Sequence, residues 1–218
     1  MTQVSTRPLL CGVDDAGRGP VIGPMVLAGV AFYRDRLQVL NSLGVRDSKK
    51  LSPSARLRLS GRIFEVADRI ELEVVRPSEI DEYVSRRKKL WRLNRLEAEK
   101  FAHIIKRIGP DVAYVDAPDT DPQRFGTTVR EIIGEEVQVI SEHHADETYP
   151  LVSAASIVAK VKRDAEVEEL RATYGDFGSG YPSDPRTREF LKKLMREGGE
   201  IPGFVRMTWK TLKRVADE

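Results

Sequence analysis

The sequence predicts an α/β protein in which helices flank a mixed β-sheet and a small helical C-terminal element follows. Three features carry this prediction: two apolar runs near the start, an alternation of helix and strand patterns in the middle, and a basic stretch after a loop dense in glycine and proline. The 218 residues suffice for one good core with a smaller appendage. We therefore expect one domain over 1–180 and a basic helical element over 181–218.

The first two apolar runs predict a β-hairpin. LLCGVDD (9–15) and VIGPMVLAGVAF (21–32) are rich in valine and leucine, which strands favour. A glycine–proline turn joins them, so the two strands are expected to pair with each other.

The next stretch alternates between helix and strand patterns. Ser52 is a suitable N-cap and Pro53 suits the first helical position, so a helix is expected to begin there. IELEVV (70–75) alternates apolar residues with acids and predicts a half-buried strand. SEIDEYV begins a short helix, and LNRLEAEKFAHIIKRI forms a long helix that ends at Gly109.

The second half continues the alternation. DVAYVDA and VQVISEH predict two further strands, with the helix QRFGTTVREII between them. PLVSAASIVAKVKRDAEVEELRATYG predicts a long helix that ends at Gly175. DFGSGYPSDP is a loop, and two basic helices are expected near 185–197 and 207–217, adding basic surface but little core.

Composition indicates a soluble globular protein. Hydrophobic residues make up 40% of the chain and charged residues 32%, and the net charge is only +2. Binding to a polyanion therefore needs local basic patches, for which 85–95 and 186–218 are the candidates. The single cysteine, Cys11, excludes an internal disulfide. The first ten residues lack the apolar core of a signal peptide, so we expect none, and no apolar run approaches the ~18 residues needed to span a membrane. We expect a cytoplasmic location, no membrane partner and a monomer.

Four acidic residues stand out by their position. Asp14 and Asp15 end the first strand, Asp116 ends the strand AYVDA, and Asp146 precedes the long helix. Any one of these acids alone could be a helix cap or a solvated turn residue. Four carboxylates in one cluster would instead repel one another unless a cation lay among them. Oxygen ligands suit Mg²⁺ or Mn²⁺ better than zinc, so the set predicts a divalent-metal site.

The first two aspartates pose a geometric question, because neighbouring side chains of a strand point to opposite faces. Either the strand has already turned at Asp15, or one residue of the pair uses its backbone carbonyl. Gly17 and Gly19 supply a permissive backbone and room for a nucleic-acid strand, and Arg18 between them can grip a phosphate. A tight turn with a solvated arginine is the alternative interpretation of this segment.

Five motifs in order along the chain resemble those of type 2 ribonuclease H, the ribonuclease HII family. They are GVDDAGRGPVIGPMVLAGV, DSKKLS, AYVDA, HHADETYPLVSAASIVAKVKRD and GSGYPSDPRT, and they span most of the chain, from about residue 9 to 212. The last of them, with VRMTWKTL, is similar to the archaeal branch. The resemblance implies a ribonuclease H fold, dependence on Mg²⁺ or Mn²⁺, and hydrolysis of RNA paired with DNA, including cleavage at single ribonucleotides in duplex DNA.

The resemblance also assigns roles to residues. The catalytic, metal-binding positions are occupied by Asp14, Asp15, Asp116 and Asp146. The residues implied to contact nucleic acid are Gly17, Arg18, Gly19, Lys49, Lys50, Ser153, Ser156 and Tyr181. The glycine–arginine–glycine stretch would contact the ribose at the cleavage junction, and the tyrosine would pack against that sugar.

The chain departs from the family at one position, because the family usually has a glutamate where this chain has Asp15. The shorter side chain places its carboxylate roughly 1 Å or more further back. We expect Asp15 to contribute mainly through its backbone carbonyl or a bridging water.

The expected chemistry is hydrolysis of a phosphodiester by two metal ions about 3.5–4 Å apart, with Asp14 and Asp116 as central ligands and Asp146 as an outer ligand. One alternative is a nucleic-acid-binding module whose metal site is impaired at Asp15. Another is a DNA nuclease of the same fold, such as a junction resolvase. The substrate of such an enzyme has no 2′-hydroxyl, so the glycine–arginine–glycine stretch and the tyrosine argue against this alternative.

Overall fold

A five-stranded mixed sheet organises the computed structural model, which describes residues 7–45, 51–86 and 92–216. The strands lie in the order β3-β2-β1-β4-β5. Their bounds are β1 Leu9–Ala16, β2 Met25–Tyr33, β3 Arg69–Val75, β4 Val112–Asp116 and β5 Gln138–Glu142. The first strand pairs antiparallel with β2 and parallel with β4, and β4 pairs parallel with β5. The mixed sheet predicted from the sequence is confirmed.

Helices occupy most of the remaining described chain. They are α1 Gln38–Leu43, α2 Pro53–Val66, α3 Pro77–Arg86, α4 Arg92–Ile108, α5 Pro122–Ile133, α6 Ala145–Thr148, α7 Pro150–Tyr174, α8 Pro185–Arg196 and α9 Lys210–Ala216. Ser52 caps α2 as predicted, because its side chain accepts a hydrogen bond from the amide of Ala55. The short helices α1 and α6 have no counterpart in the sequence prediction, since four to six residues give too few turns for a periodic pattern.

The hairpin of β1 and β2 forms as predicted, but its second strand begins later than expected. Pairing runs from Leu9 opposite Tyr33 to Ala16 opposite Val26. The residues before Met25 leave the strand because Gly23 has a positive φ of 92°. Ile22 instead forms an isolated antiparallel bridge with Val205.

The described residues form two compact units. The first unit comprises the described residues within 1–16, 26–73 and 94–161, and the second those within 17–25, 74–93 and 162–218. This grouping follows contacts rather than the predicted division at residue 180, which stays a prediction.

The sheet of the first unit is packed so closely on both faces that glycine is required at two strand positions. A Cβ on Gly12 of β1 would lie 2.2 Å from the backbone carbon of Leu151 in α7. A Cβ on Gly29 of β2 would lie 2.4 Å from Ile104 of α4. Helices therefore cover the strands that carry the acidic residues, and Cys11 is fully buried among them.

The second unit has its own apolar core, to which the C-terminal helices contribute much. Buried residues of this core are Val21, Ile22, Val167, Phe177, Leu191, Phe204, Val205, Leu212 and Val215. The expectation that the two C-terminal helices add little core is therefore wrong. Among the described helices, none is both long and apolar enough to cross a membrane.

Candidate active site

The two central parallel strands bring two aspartates to one edge of the sheet. Val13 of β1 lies opposite Val115 of β4, so Asp14 and Asp116 follow the last paired residues of neighbouring parallel strands. Side chains at matching positions of parallel strands point to the same face. Asp14 is 5% exposed, so the site begins with a carboxyl group that is almost fully removed from water.

The electrostatics of Asp14 show that carboxylates converge here. Burial raises the pKa of Asp14 well above its usual value, and the neighbouring carboxylates of Asp15 and Asp116 raise it further. A hydrogen bond with the Ser156 hydroxyl and one from the amide of Asp15, at 2.7 Å, act in the opposite direction. Oxygen donors that repel one another fit a hard divalent cation, which would relieve the repulsion.

Asp15 lies within the regular part of β1, which bears on whether the strand has already turned at this residue. It pairs with Leu27, and β1 continues to Ala16, so the strand has not turned at this residue. The side chain of Asp15 is half-buried. The alternative in which the strand has already turned at Asp15 is therefore wrong, and the role of a backbone carbonyl of the pair stays a prediction.

The backbone of α6, the short helix that carries Asp146, is hydrogen-bonded to Asp116. The amide of Ala145 donates a hydrogen bond of 2.8 Å to the carboxylate of Asp116, and the next residue is the buried Asp146. Among the described His, Cys, Asp and Glu residues, the ligand atoms of His144, Asp146 and Glu147 lie within 4.8 Å of one another. That group contains neither Asp14 nor Asp116, so a common ion for all four predicted acids stays a prediction.

Two residues at this sheet edge were missed by the sequence analysis. Glu142 ends β5 and lies opposite Asp116 in the parallel ladder. The hydroxyl of Tyr149 donates to its carboxylate at 2.9 Å, and this bond raises the pKa of Tyr149. The sequence did indicate Glu142, because it is an acid at the end of a strand, as Asp116 is.

The two predicted serines lie inside the first unit. Ser153 and Ser156 are 0% exposed. The hydroxyl of Ser153 donates to the carbonyl of Val45, whereas that of Ser156 bonds to Asp14 and accepts from the ammonium of Lys160 at 2.7 Å. Burial leaves neither serine a surface for nucleic acid, so the expectation that they contact it directly is not supported. Ser156 instead orients the Asp14 carboxylate.

The glycine–arginine–glycine loop belongs to the second unit. Gly17 has a φ of 83°, and a Cβ there would lie 2.6 Å from the carbonyl oxygen of Pro24. A Cβ on Gly19 would lie 3.4 Å from the ring of Tyr181, which is 41% exposed. The guanidinium of Arg163 lies 5.8 Å from the centre of that ring. The structure thus brings Gly19 and Tyr181 together, as the resemblance implied.

Two predicted residues cannot be placed. Lys49 and Lys50 lie outside the described residues, as does part of the basic run 85–95. Their assignment to nucleic-acid binding stays a prediction.

A mixed five-stranded sheet of this order, flanked by helices and with acids at the ends of its central parallel strands, defines the class of ribonuclease H-like nucleases. The family model described as Ribonuclease HII matches residues 11–212. The ribonuclease HII of Archaeoglobus fulgidus is 48% identical over 205 residues, which cover 94% of this chain and 95% of that protein. The chain belongs to the ribonuclease HII family, and it is an enzyme of the ribonuclease H type, whose members depend on metal ions.

Solved structures agree with this assignment. The structure of ribonuclease H2 from Pyrococcus horikoshii superposes with a TM-score of 0.88 at 44% identity, covering 96% of this chain and 97% of that one. The ribonuclease HII of Archaeoglobus fulgidus, solved in complex with PCNA, gives a TM-score of 0.87 at 46% identity, with the same coverage of 96% and 97%. Both sources are archaeal, as the motifs near the C-terminus implied.

Proposed function

We propose that this enzyme hydrolyses the RNA strand of RNA/DNA hybrids and cleaves at single ribonucleotides embedded in duplex DNA. The observation that carries the proposal is the buried carboxyl of Asp14, whose pKa is raised by burial and by the carboxylates of Asp15 and Asp116. Packing gains nothing from such repulsion, whereas cation-dependent hydrolysis needs these donors in one place.

The metal ligands in this proposal are Asp14, Asp15, Asp116 and Asp146, and the ions are Mg²⁺ or Mn²⁺. Two ions bound there would activate the attacking water and stabilise the leaving 3′-oxygen. The chain orients its own ligands: Ser156 and the amide of Asp15 hold Asp14, and the amide of Ala145 holds Asp116. Glu142 adds negative charge at the same edge, opposite Asp116.

Asp15 acts in this proposal through its backbone carbonyl or a bridging water, because its strand is regular and its side chain is shorter than the glutamate usual in the family. Cleavage by the parent and by Asp15→Glu tests this. We expect the parent to cleave and the variant to differ from it by no more than about tenfold. A parent without activity beside an active Asp15→Glu would instead identify a nucleic-acid-binding module with an impaired metal site.

Recognition of the ribose is assigned to the second unit. Its Gly17–Gly19 loop lacks side chains at both glycines, so its backbone can approach a 2′-hydroxyl, and Tyr181 offers an exposed ring beside Gly19. Affinity for the duplex would come from phosphate contacts of basic residues, for which α8 supplies Arg188, Lys192 and Lys193. A cytoplasmic, monomeric state completes the proposal.

The test is cleavage of a labelled DNA duplex that contains one ribonucleotide, with Mg²⁺, with Mn²⁺ and with a chelator. We expect a single cut at the ribonucleotide with either metal, no cut with the chelator, and no cut in an all-DNA duplex. Asp116→Asn should lower the rate by at least about 10³-fold. Asp121→Asn is the matched control, because Asp121 caps α5 through its side chain and asparagine caps equally well. Equal rates for parent and Asp116→Asn would contradict the proposal.

A further inference from the structure

A buried arginine holds the backbone of the Gly17–Gly19 loop. Arg206 is 0% exposed, although it is one of the largest side chains in the chain. Its Nη2 donates to the carbonyl of Gly17 at 2.5 Å, its Nη1 to the carbonyl of Arg18 at 2.8 Å, and its Nε to the carbonyl of Gly23 at 3.1 Å. One planar guanidinium therefore fixes the first two carbonyls of the loop and that of Gly23 beyond it.

A tryptophan completes this arrangement. The centre of the Trp209 ring lies 4.8 Å from the guanidinium carbon of Arg206, and its indole nitrogen donates to the carbonyl of Gly19 at 3.1 Å. The carbonyls of three successive residues, 17 to 19, are thus turned towards Arg206 and Trp209. We call these two side chains the carbonyl clamp.

The segment that carries the clamp is itself fixed. The amide of Arg206 donates to the carbonyl of Val21 at 2.8 Å. The carboxylate of Asp81 on α3 accepts hydrogen bonds from the amides of Met207, at 2.7 Å, and Thr208, at 2.9 Å. Hydrogen bonds to Val21 and Asp81 therefore anchor the segment that carries the clamp within the second unit.

The direction of the carbonyls determines the direction of the amides. All described peptide bonds are trans, and in a trans peptide the C=O and the following N–H point in opposite directions. With the carbonyls of Gly17 and Arg18 turned towards the clamp, the N–H groups of Arg18 and Gly19 point away from it. Pro20, which follows, has no N–H. The loop therefore presents two successive donors on the face opposite the clamp, an arrangement suited to an oxygen acceptor.

We propose that Arg206 and Trp209 are positioning residues that orient the amides of Arg18 and Gly19 for recognition of the ribose 2′-hydroxyl. This inference rests on the proposed function, and it gives the C-terminal segment a role in catalysis beyond binding phosphates. Lysine cannot replace the arginine, because its single ammonium cannot hold three carbonyls in one plane.

The test compares Arg206→Lys and Trp209→Phe with the parent on a duplex that contains one ribonucleotide. Trp209→Phe keeps the ring over the guanidinium and removes the bond to Gly19, so kcat should fall about tenfold. Arg206→Lys should lower kcat about 100-fold or more by displacing the loop. The dissociation constant for the duplex should change less than about twofold in both, because no phosphate contact is lost.

Arg36→Lys is the matched control for the arginine. Arg36 also donates to a backbone carbonyl, that of Val66, and it follows the end of β2 that lies opposite the start of β1. This variant should cleave like the parent. If Arg206→Lys does not fold, Trp209→Phe decides the question.

A second measurement separates the clamp from the reaction. In metal-free protein, the amide resonances of Arg18 and Gly19 should shift in Trp209→Phe more than those of residues on α2. A parent that cannot cleave the ribonucleotide duplex would contradict the proposed function, while this spectroscopic measurement would still test the clamp. The inference is overturned if these resonances do not move, if kcat is unchanged in both variants, or if only the KM rises.

Discussion

Replacing Ser156 by alanine should weaken the binding of divalent cations without dismantling the site. The Ser156 hydroxyl bonds to Asp14 and accepts from the Lys160 ammonium at 2.7 Å, and both the serine and the aspartate are buried. Without it, the carboxylate of Asp14 loses a donor, so its pKa rises further and its ionised, cation-binding form becomes less favourable.

The expected magnitude follows from that one hydrogen bond. A hydrogen bond to a charged group contributes about 1.5–3 kcal/mol, which corresponds to an affinity roughly 10- to 100-fold weaker for the cation. The deficit should shrink as the pH rises, because alkaline conditions ionise Asp14 without help. Saturating Mg²⁺ should restore most of kcat, because the ligands themselves remain.

The assay is the concentration of Mg²⁺ that gives half-maximal cleavage, measured at several pH values. Ser153→Ala is the matched control, because Ser153 is equally buried on the same helix but donates to the carbonyl of Val45. Both variants should lose about 1 kcal/mol of unfolding free energy, and only Ser156→Ala should need more Mg²⁺. Identical Mg²⁺ requirements for the two variants would refute the assigned role of Ser156.

Three further predictions follow from the geometry. The pKa of Asp14 is raised in the folded state, so between about pH 3.9 and that raised pKa the folded metal-free protein binds more protons than the unfolded chain. Denaturant titration should therefore show the free energy of unfolding falling as the pH rises through this window. Asp14→Asn should remove that part of the pH dependence. Tyr181→Ala should lower kcat about tenfold while changing duplex affinity less than about twofold, and equal loss of both would contradict its position beside the ribose. Gly12→Ala should lower the free energy of unfolding, measured by thermal unfolding, by about 3 kcal/mol or more, because its Cβ would lie 2.2 Å from the backbone carbon of Leu151. Gly61→Ala is the control: a Cβ there would have no atom within 4 Å, so this variant should stabilise α2 slightly.

The elements with strong local signals were predictable. Ser52 and the proline after it mark the start of α2, and Gly109, with a positive φ of 62°, follows the end of α4. The predicted start of β2 at Val21 was wrong. Apolar character alone does not distinguish a residue of the strand from one that packs in the apolar core of the second unit, as Val21 does. Ile22 pairs with Val205, a partner too distant in sequence for any local pattern to reveal.

The candidate site was predictable where strand ends carry acids. Asp14 and Asp116 follow from that rule, and Glu142 could have been found by the same rule. Ser156 was assigned to nucleic acid by the resemblance to the family, and the sequence could not correct this, because residues 151–159 are apolar apart from the two serines and do not show which face of α7 is buried. Arg206 was missed because its partners are backbone carbonyls 183 to 189 positions away, which no side-chain pattern records.

Anomalous diffraction from crystals grown with Mn²⁺ tests the shared metal site most directly. We expect a manganese peak in contact with the carboxylates of Asp14 and Asp116, with Asp146 as a ligand of the same ion or of a second ion beside it. Manganese bound only by His144, Asp146 and Glu147, with none at Asp14, would contradict the site on which the proposed cleavage depends.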